Sequence, residues 1–191
     1  MIACAASSLL FWDKSTILEV TMDTINIRGL RIRAWLLFFT FALTVSGITA
    51  IPLQWELGIL NGLAGPESVV GSWLPRMAEW IGRVNEGVQA GYGQYPFLAY
   101  GTDWLAFAHI VIAIAFIGPL RDPLKNIWVI EFGMIACILI IPWSILLGSL
   151  RGIPLSWMMI DMSFGVFGIL PLWFVRREIL MVEKLNAQLK W

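Results

Sequence analysis

The feature that most constrains this chain is a stretch of twenty residues, 34–53, in which no charged side chain occurs. Three further apolar windows follow at 97–120, 127–150 and 155–175. A helix crosses the hydrocarbon core of a bilayer with about 20 mostly apolar residues, because backbone polar groups in lipid must be paired within the segment. The sequence therefore predicts an all-α, polytopic transmembrane four-helix bundle, in a single membrane domain that covers residues 1–191.

Composition excludes the other broad classes of protein. Hydrophobic residues make up 59% of the chain and charged residues 14%, whereas soluble domains have roughly 45–50% and about 25%. Disorder is excluded because there is ample apolar material to bury. The 13 basic residues are balanced by 13 acidic ones and form no stripe for nucleic acid. Cys4 and Cys137 are too few for a disulfide framework.

Basic residues are distributed unevenly between the two sides of the predicted spans. Ten lie on the side of the termini: Lys14, Arg28, Arg31, Arg33, Arg121, Lys125, Arg176, Arg177, Lys184 and Lys190. Three lie on the other side: Arg76, Arg83 and Arg151. The positive-inside rule then predicts that both termini are cytoplasmic, in a bacterial-type inner membrane. Tryptophans mark both predicted interfaces: Trp35, Trp128 and Trp173 at the cytoplasmic ends, and Trp55, Trp104, Trp143 and Trp157 at the opposite ends.

The terminal segments carry no predicted targeting signal. Residues 1–12 are apolar but too short to span and lack a basic segment, so neither a secretory signal peptide nor a lipoprotein cleavage site is predicted. Met22 is an alternative translation start. The cytoplasmic tail 176–191 is predicted to continue the fourth helix along the membrane surface.

The connections between spans differ in length. Short proline-containing links at 118–125 and 151–154 make the last three spans antiparallel neighbours. The connection 54–96 is long and predicted to be extracytoplasmic. Apolar residues recur at helical spacing from Trp73 to Val88, which predicts an amphipathic interfacial helix. Its residues Trp73, Trp80 and Val84 would face the membrane or cover the bundle as a lid, or the helix would only pack without a gating role.

Small and polar residues predict the faces on which the spans meet, since transmembrane helices associate through close packing and interhelical polar contacts. From the first to the fourth span these faces are Thr40, Thr44 and Gly47; Ala99, Ala106 and Ala113; Glu131, Ile138, Pro142 and Ser149; and Asp161, Gly165 and Gly168.

Four ionisable residues fall inside the predicted spans. Asp103 and Asp161 each lie six residues from the extracytoplasmic end of their span, about 9 Å deep at the rise of a helix. They are therefore predicted to be inward-facing neighbours, with His109 near mid-membrane and Glu131 nearer the cytoplasm. Such a series could relay protons or bind a cation, since buried charge at the bilayer centre costs about 2.5–3.5 kcal/mol for Asp and usually serves a purpose. The alternative is that these side chains only form hydrogen bonds that join helices.

Catalytic and metal chemistry have weaker support. The single histidine excludes a haem held by two histidines of one chain. A haem shared across a homodimer, or with Met134 or Met162 as second ligand, and a metal site of His109 with Asp103, Glu131 and Asp161, remain weaker alternatives. No catalytic residue, metal or cofactor is predicted.

The sequence favours a non-enzymatic accessory, regulatory or structural membrane subunit with a buried polar core. Its expected partners are the lipid bilayer and other membrane subunits or further copies of itself. The first alternative is a small proton- or cation-coupled transporter or channel that uses Asp103, His109, Glu131 and Asp161. The second is a membrane-embedded metal- or haem-dependent enzyme.

Overall fold

The computed structural model describes residues 14–189, and within that range it contains helices and turns but no strand. The helices are α1 (Lys14–Thr49), α2 (Leu53–Ala64), α3 (Val69–Trp73), α4 (Pro75–Gln94), α5 (Tyr100–Ala115), α6 (Ile117–Arg121), α7 (Ile127–Leu150) and α8 (Leu155–Gln188). A short 3₁₀ helix, Pro96–Ala99, leads into α5. The predicted properties of segment 1–12, and the last two residues of the predicted tail, lie outside the described residues.

Four stretches of the described chain are long and apolar enough to cross a membrane. They are Leu18–Thr49, Pro96–Arg121, Ile127–Leu150 and Leu155–Gln188. Their number agrees with the number of spanning helices that the sequence predicts. Helix α1 is much longer than predicted, with 36 residues. Helix α8 has 34 residues because the tail continues the fourth helix as far as Gln188, as predicted. Each is about 50 Å long, whereas the hydrocarbon core is about 30 Å thick.

Local sequence explains where the spans begin and end. Pro52 follows the end of α1, and Pro154 precedes the start of α8. Between α7 and α8, Gly152 adopts a positive φ of 68°, and the amide of Ile153 donates to the carbonyl oxygen of Gly148 at 2.9 Å. A glycine tolerates this left-handed conformation without steric cost, so the chain reverses within a few residues.

The turn between α6 and α7 is held by side chains. The side-chain amide of Asn126 donates to the carbonyl oxygens of Gly118 and Asp122, at 3.2 and 2.9 Å. The Asp122 carboxylate accepts hydrogen bonds from the ammonium and the amide of Lys125, which lower the pKa of that carboxyl. The turn thus keeps α7 beside α6.

The long helices pack in the order α5, α1, α8, α7. Helix α1 contacts α5 on one side and α8 on the other, and α8 contacts α7. The apolar core lies toward the ends of α1 and α8 that carry the termini, which we call the termini side. Its most deeply buried members are Leu36, Ile130, Leu172, Val175 and Phe116, each 0% exposed.

Small residues allow the helices to approach closely. A Cβ on Gly47 would lie 2.6 Å from the Cβ of His109, so α1 and α5 cross at this point. Ala106 and Ala113 of α5 are buried, as predicted. A Cβ on Gly165 of α8 would overlap the carbonyl oxygen of Cys137 on α7. Three of the four predicted faces thus contain buried packing residues.

The predicted inner face of the third span is wrong. Ile138, Pro142 and Ser149 are exposed, and α7 instead buries Val129, Ile130, Gly133, Cys137 and Gly148. The prediction followed the polar residues of this span, whereas the packing follows its glycines. Gly133 admits the side chains of Phe116 and Leu172, and Gly148 admits Met158.

On the termini side, α1 and α8 continue together as an antiparallel pair. The Arg28 guanidinium donates to the Glu178 carboxylate at 2.6 Å. Ile32, Ile179 and Val182 extend the apolar core along this pair. Both helices are longer than the hydrocarbon core of a bilayer is thick, and this paired segment carries their charged residues.

The connection 54–96 contains more helix than the sequence indicated. Helix α2 was not predicted, and it packs against α4. The predicted helix over 73–88 is divided: Trp73 ends α3 with 81% of its surface exposed, and α4 begins at Pro75. Proline supplies the φ of a first helical turn and has no amide to leave unpaired there. Within α4, Trp80 is half-buried and Ile81 is buried.

Candidate functional site

The candidate site is a cavity of about 410 Å³ between the long helices, and ionisable side chains of the predicted spans line it. Side chains from α1, α5, α7 and α8 all line it. They are Phe38, Phe39, Ala42, Leu43, Ser46, His109, Cys137, Ile140, Asp161, Phe164, Phe167, Gly168 and Pro171. The cavity therefore brings together two of the four predicted ionisable residues, His109 and Asp161.

Asp161 is the acidic group of the cavity. It lies on α8 one turn before Gly165, where α8 touches the backbone of α7. Its side chain is half-buried, and among residues 14–189 it has no hydrogen-bond or ion-pair partner. A carboxylate at membrane depth is costly unless a partner or a proton neutralises it. Asp161 is thus available to a group from outside the described chain.

His109 lines the cavity, and one of its ring nitrogens is hydrogen-bonded to its own helix. Its Nδ1 lies 2.8 Å from the carbonyl oxygen of Leu105, one turn earlier on α5. A carbonyl oxygen only accepts hydrogen bonds, so Nδ1 carries the proton. The other nitrogen, Nε2, is left to accept a hydrogen bond. The contact of His109 with Gly47 fixes the ring beside α1.

The remaining surface of the cavity is largely apolar. Phe38 on α1 and Phe164 and Phe167 on α8 are exposed rings at its edge, with exposures of 59%, 64% and 70%. Cys137 and Gly168 lie at its floor, where α7 and α8 touch. The exposed rings that line the cavity therefore come from α1 and α8.

An apolar layer closes the cavity on the termini side. Along α8, Leu172 follows Pro171 of the cavity and precedes Arg176. Leu172, Leu36 and Phe116 are all 0% exposed, and the Phe116 ring packs on Phe39 with 4.9 Å between centroids. The sequence is apolar throughout, so no residue type marks such a layer. The only local signal is Gly133, which leaves room for the side chains of Phe116 and Leu172.

Glu131 lies beyond this layer, outside the cavity. Its carboxylate accepts a hydrogen bond from Nε of Arg176 at 2.9 Å. Both side chains are partly exposed, at 43% and 40%. The predicted series from His109 to Glu131 is therefore interrupted by apolar side chains, and Glu131 is already neutralised by a partner that sequence reasoning did not identify.

Asp103 and Asp161 line different pockets, so the structure does not bring the predicted pair together in one site. Asp103 is exposed and lines a separate shallow pocket with Tyr100, Trp104 and Phe107. The physical reason is the packing order of the helices. Helix α5 packs against α1 through Ala106, and α1 separates α5 from the main contact surface of α8. Equal depth therefore does not bring these two carboxylates together.

The alternative metal site is likewise not assembled. Within residues 14–189, no three His, Cys, Asp or Glu side chains lie together in a group that could hold a metal ion. His109 and Asp161 share the cavity, but Asp103 and Glu131 lie elsewhere.

No protein-family model, no curated protein and no solved structure matches this chain. The geometry of the cavity and of the helix surfaces is therefore the basis for assigning a function.

Proposed function

We propose that this chain is a non-enzymatic accessory or regulatory subunit of a membrane complex, and that it docks a partner subunit at the cavity of Asp161 and His109. The observation that carries the proposal is the unpartnered Asp161 carboxylate in a cavity lined by exposed phenylalanine rings of α1 and α8. Exposed aromatic rings around a carboxylate suit a neighbouring membrane helix better than an aqueous compartment.

Charge complementarity specifies the group that would fill this cavity. A basic side chain on a partner helix would neutralise Asp161, and the rings of Phe38, Phe164 and Phe167 would enclose its apolar stem. A volume of about 410 Å³ accommodates such a side chain but not a whole helix. Nε2 of His109 would accept a further hydrogen bond from the same group.

The proposal also includes the membrane and the orientation. The four long helices would form a compact bundle in a bacterial-type inner membrane, with both termini cytoplasmic, because the basic residues divide ten to three between the two sides. Helices α2 to α4 would lie at the opposite interface, where exposed residues such as Trp55, Val69 and Trp73 contact lipid headgroups. Labelling of Glu86→Cys and Lys184→Cys with a membrane-impermeant thiol reagent tests this orientation.

Photocrosslinking tests the docking proposal. A photoreactive phenylalanine analogue is placed at Phe164, beside Asp161, and the control carries it at Phe132 of α7, which is 48% exposed and does not line the cavity. In native membranes we expect a discrete protein adduct from position 164 but not from position 132. Asp161→Asn should remove this adduct, because the neutral amide no longer attracts a basic group.

Lipid adducts alone at both positions would contradict the docking proposal. An adduct at position 164 whose mass is twice that of this chain would identify the partner as a second copy. An adduct that survives Asp161→Asn unchanged would show that the carboxylate does not select the partner.

A proton- or cation-coupled transporter is the second candidate. It is favoured by one observation: two titratable side chains, His109 and Asp161, line the same cavity. The apolar layer of Leu36, Phe116 and Leu172 argues against a continuous path for ions through the bundle. Ion flux in vesicles with the purified protein, abolished by Asp161→Asn, would favour transport over docking.

A further inference from the structure

A second surface, separate from the cavity, combines unpaired positive charge with an interfacial tryptophan. Helix α8 carries a shallow pocket of about 240 Å³ where it leaves the membrane on the termini side. The pocket is lined by Trp173, Arg176, Arg177, Leu180, Met181 and Lys184, all from this one helix. We call this surface the α8 basic pocket.

The charge of the pocket is only partly compensated. Arg176 is paired with Glu131 at 2.9 Å. Arg177 and Lys184 have no carboxylate partner among residues 14–189, and no acidic side chain lines the pocket. Two positive charges are therefore available to an anion.

The position of these residues along α8 matches the layers of a bilayer leaflet. Trp173 is 46% exposed, as expected of a ring at the boundary between hydrocarbon and headgroups. The guanidinium carbon of Arg177 lies 5.8 Å from the centre of the Trp173 ring. Arg177 follows Trp173 by one turn, about 6 Å along the helix, and a headgroup layer is roughly 5–8 Å thick. Arg177 thus lies at the depth of lipid phosphates.

Lys184 extends the positive surface away from the membrane. It lies about 10 Å beyond Arg177 along α8, and its flexible stem can bring the ammonium back toward the headgroups. Leu180 and Met181 between these residues form an apolar floor. A lipid standing against α8 would place its glycerol region near Trp173 and its phosphate on Arg177.

We infer that the α8 basic pocket binds the phosphate headgroup of an anionic phospholipid in the leaflet on the termini side. Guanidinium groups bind phosphate oxygens in a bidentate geometry, and each basic residue near an anionic surface strengthens binding several-fold. A zwitterionic headgroup also carries a phosphate, but its ammonium group would find no carboxylate in this pocket. The pocket therefore favours a net anionic headgroup.

Native mass spectrometry of the purified full-length protein with added lipid tests the inference. The probes are phosphatidylglycerol, which is anionic, and phosphatidylcholine, which is zwitterionic. We expect retained phosphatidylglycerol in the wild type and a fall of about tenfold or more in its affinity for the double variant Arg177→Gln/Lys184→Gln. Phosphatidylcholine retention should be low and equal in both proteins.

A matched variant controls for net charge. Arg31→Gln/Arg33→Gln removes two exposed charges from α1 at a similar height but outside the pocket, and it should keep phosphatidylglycerol affinity within about twofold. Arg177→Lys, which keeps the charge, should retain part of the binding. Equal loss in both double variants would overturn the inference, because binding would then follow total charge.

Inorganic phosphate distinguishes the two sources of the anion. At millimolar concentration it should neither displace phosphatidylglycerol nor raise the melting temperature, because it lacks the acyl chains that hold a lipid beside Trp173. Stabilisation by inorganic phosphate that is lost in Arg177→Gln/Lys184→Gln would overturn the lipid assignment in favour of a soluble phosphate ligand. Unchanged helix content and size-exclusion behaviour verify that each variant is folded.

Discussion

Replacing Gly165 by valine is expected to lower the stability of the protein by about 2–3 kcal/mol. A Cβ at this position would overlap the carbonyl oxygen of Cys137, and it would lie 3.5 Å from the Cβ of Ile140. The obstacle is backbone, which cannot move aside as the end of a flexible side chain can. Helices α7 and α8 would have to separate, and the wall of the cavity beside Asp161 would shift with them.

Thermal unfolding followed by tryptophan fluorescence measures this effect in detergent or nanodiscs. Gly101→Val is the matched control, because Gly101 is also in a spanning helix but has nothing within 4 Å of its would-be Cβ. We expect a clearly lower melting temperature for Gly165→Val and little change for Gly101→Val. Equal shifts would mean that the crossing of α7 and α8 is not as close as described.

Replacing Phe116 by alanine is also expected to lower the stability of the protein by several kcal/mol. Phe116 is 0% exposed, and its ring packs on Phe39. Together with Leu172 it fills the space that a side chain at Gly133 would occupy. Truncation of a buried phenylalanine costs about 3–5 kcal/mol in well-packed cores, because it leaves a void as well as removing contacts. Here we expect the void to connect the cavity with the termini side, where Glu131 and Arg176 lie. Water could then cross the apolar layer.

Two measurements on the same protein separate the parts of this prediction. The melting temperature should fall, and vesicles that contain Phe116→Ala should lose an imposed pH gradient faster than vesicles with the wild type. Phe132→Ala is the control, because this ring is 48% exposed on the outer face of α7. A wild-type protein that already dissipates the gradient as fast as Phe116→Ala would contradict the view that the layer closes the cavity.

The spanning helices were predictable because hydropathy over about 20 residues is a strong signal. The length of the first helix was not predictable from the same signal. Arg28, Arg31 and Arg33 end the apolar window of the first span, yet they are good helix formers, and α1 continues through them to Lys14. Helix α8 packs along this extension, through the Arg28–Glu178 ion pair and the apolar contacts of Ile32. Such a tertiary contact leaves no local pattern.

The candidate site was predictable only in part. Small residues correctly marked the crossing of α1 and α5 at Gly47, and the polar residues included the two that line the cavity, His109 and Asp161. Depth alone could not predict that Asp103 lies apart from Asp161, because depth does not specify which helices are neighbours. The face that α7 turns toward its neighbours was also predicted wrongly. Its packed face contains the glycines, whereas Glu131 lies beside that face and pairs with Arg176.

The measurement that tests the central proposal most directly is the mass of the particle that this chain forms in its own membrane. The particle is excised with its surrounding lipid by an amphipathic polymer and analysed by native mass spectrometry, for the wild type and for Asp161→Asn. We predict a wild-type particle that contains this chain and a membrane partner in fixed stoichiometry, and loss of that partner in Asp161→Asn with the fold intact. A single chain in both proteins, or an identical partner in both, would contradict the assignment of Asp161 as the docking group.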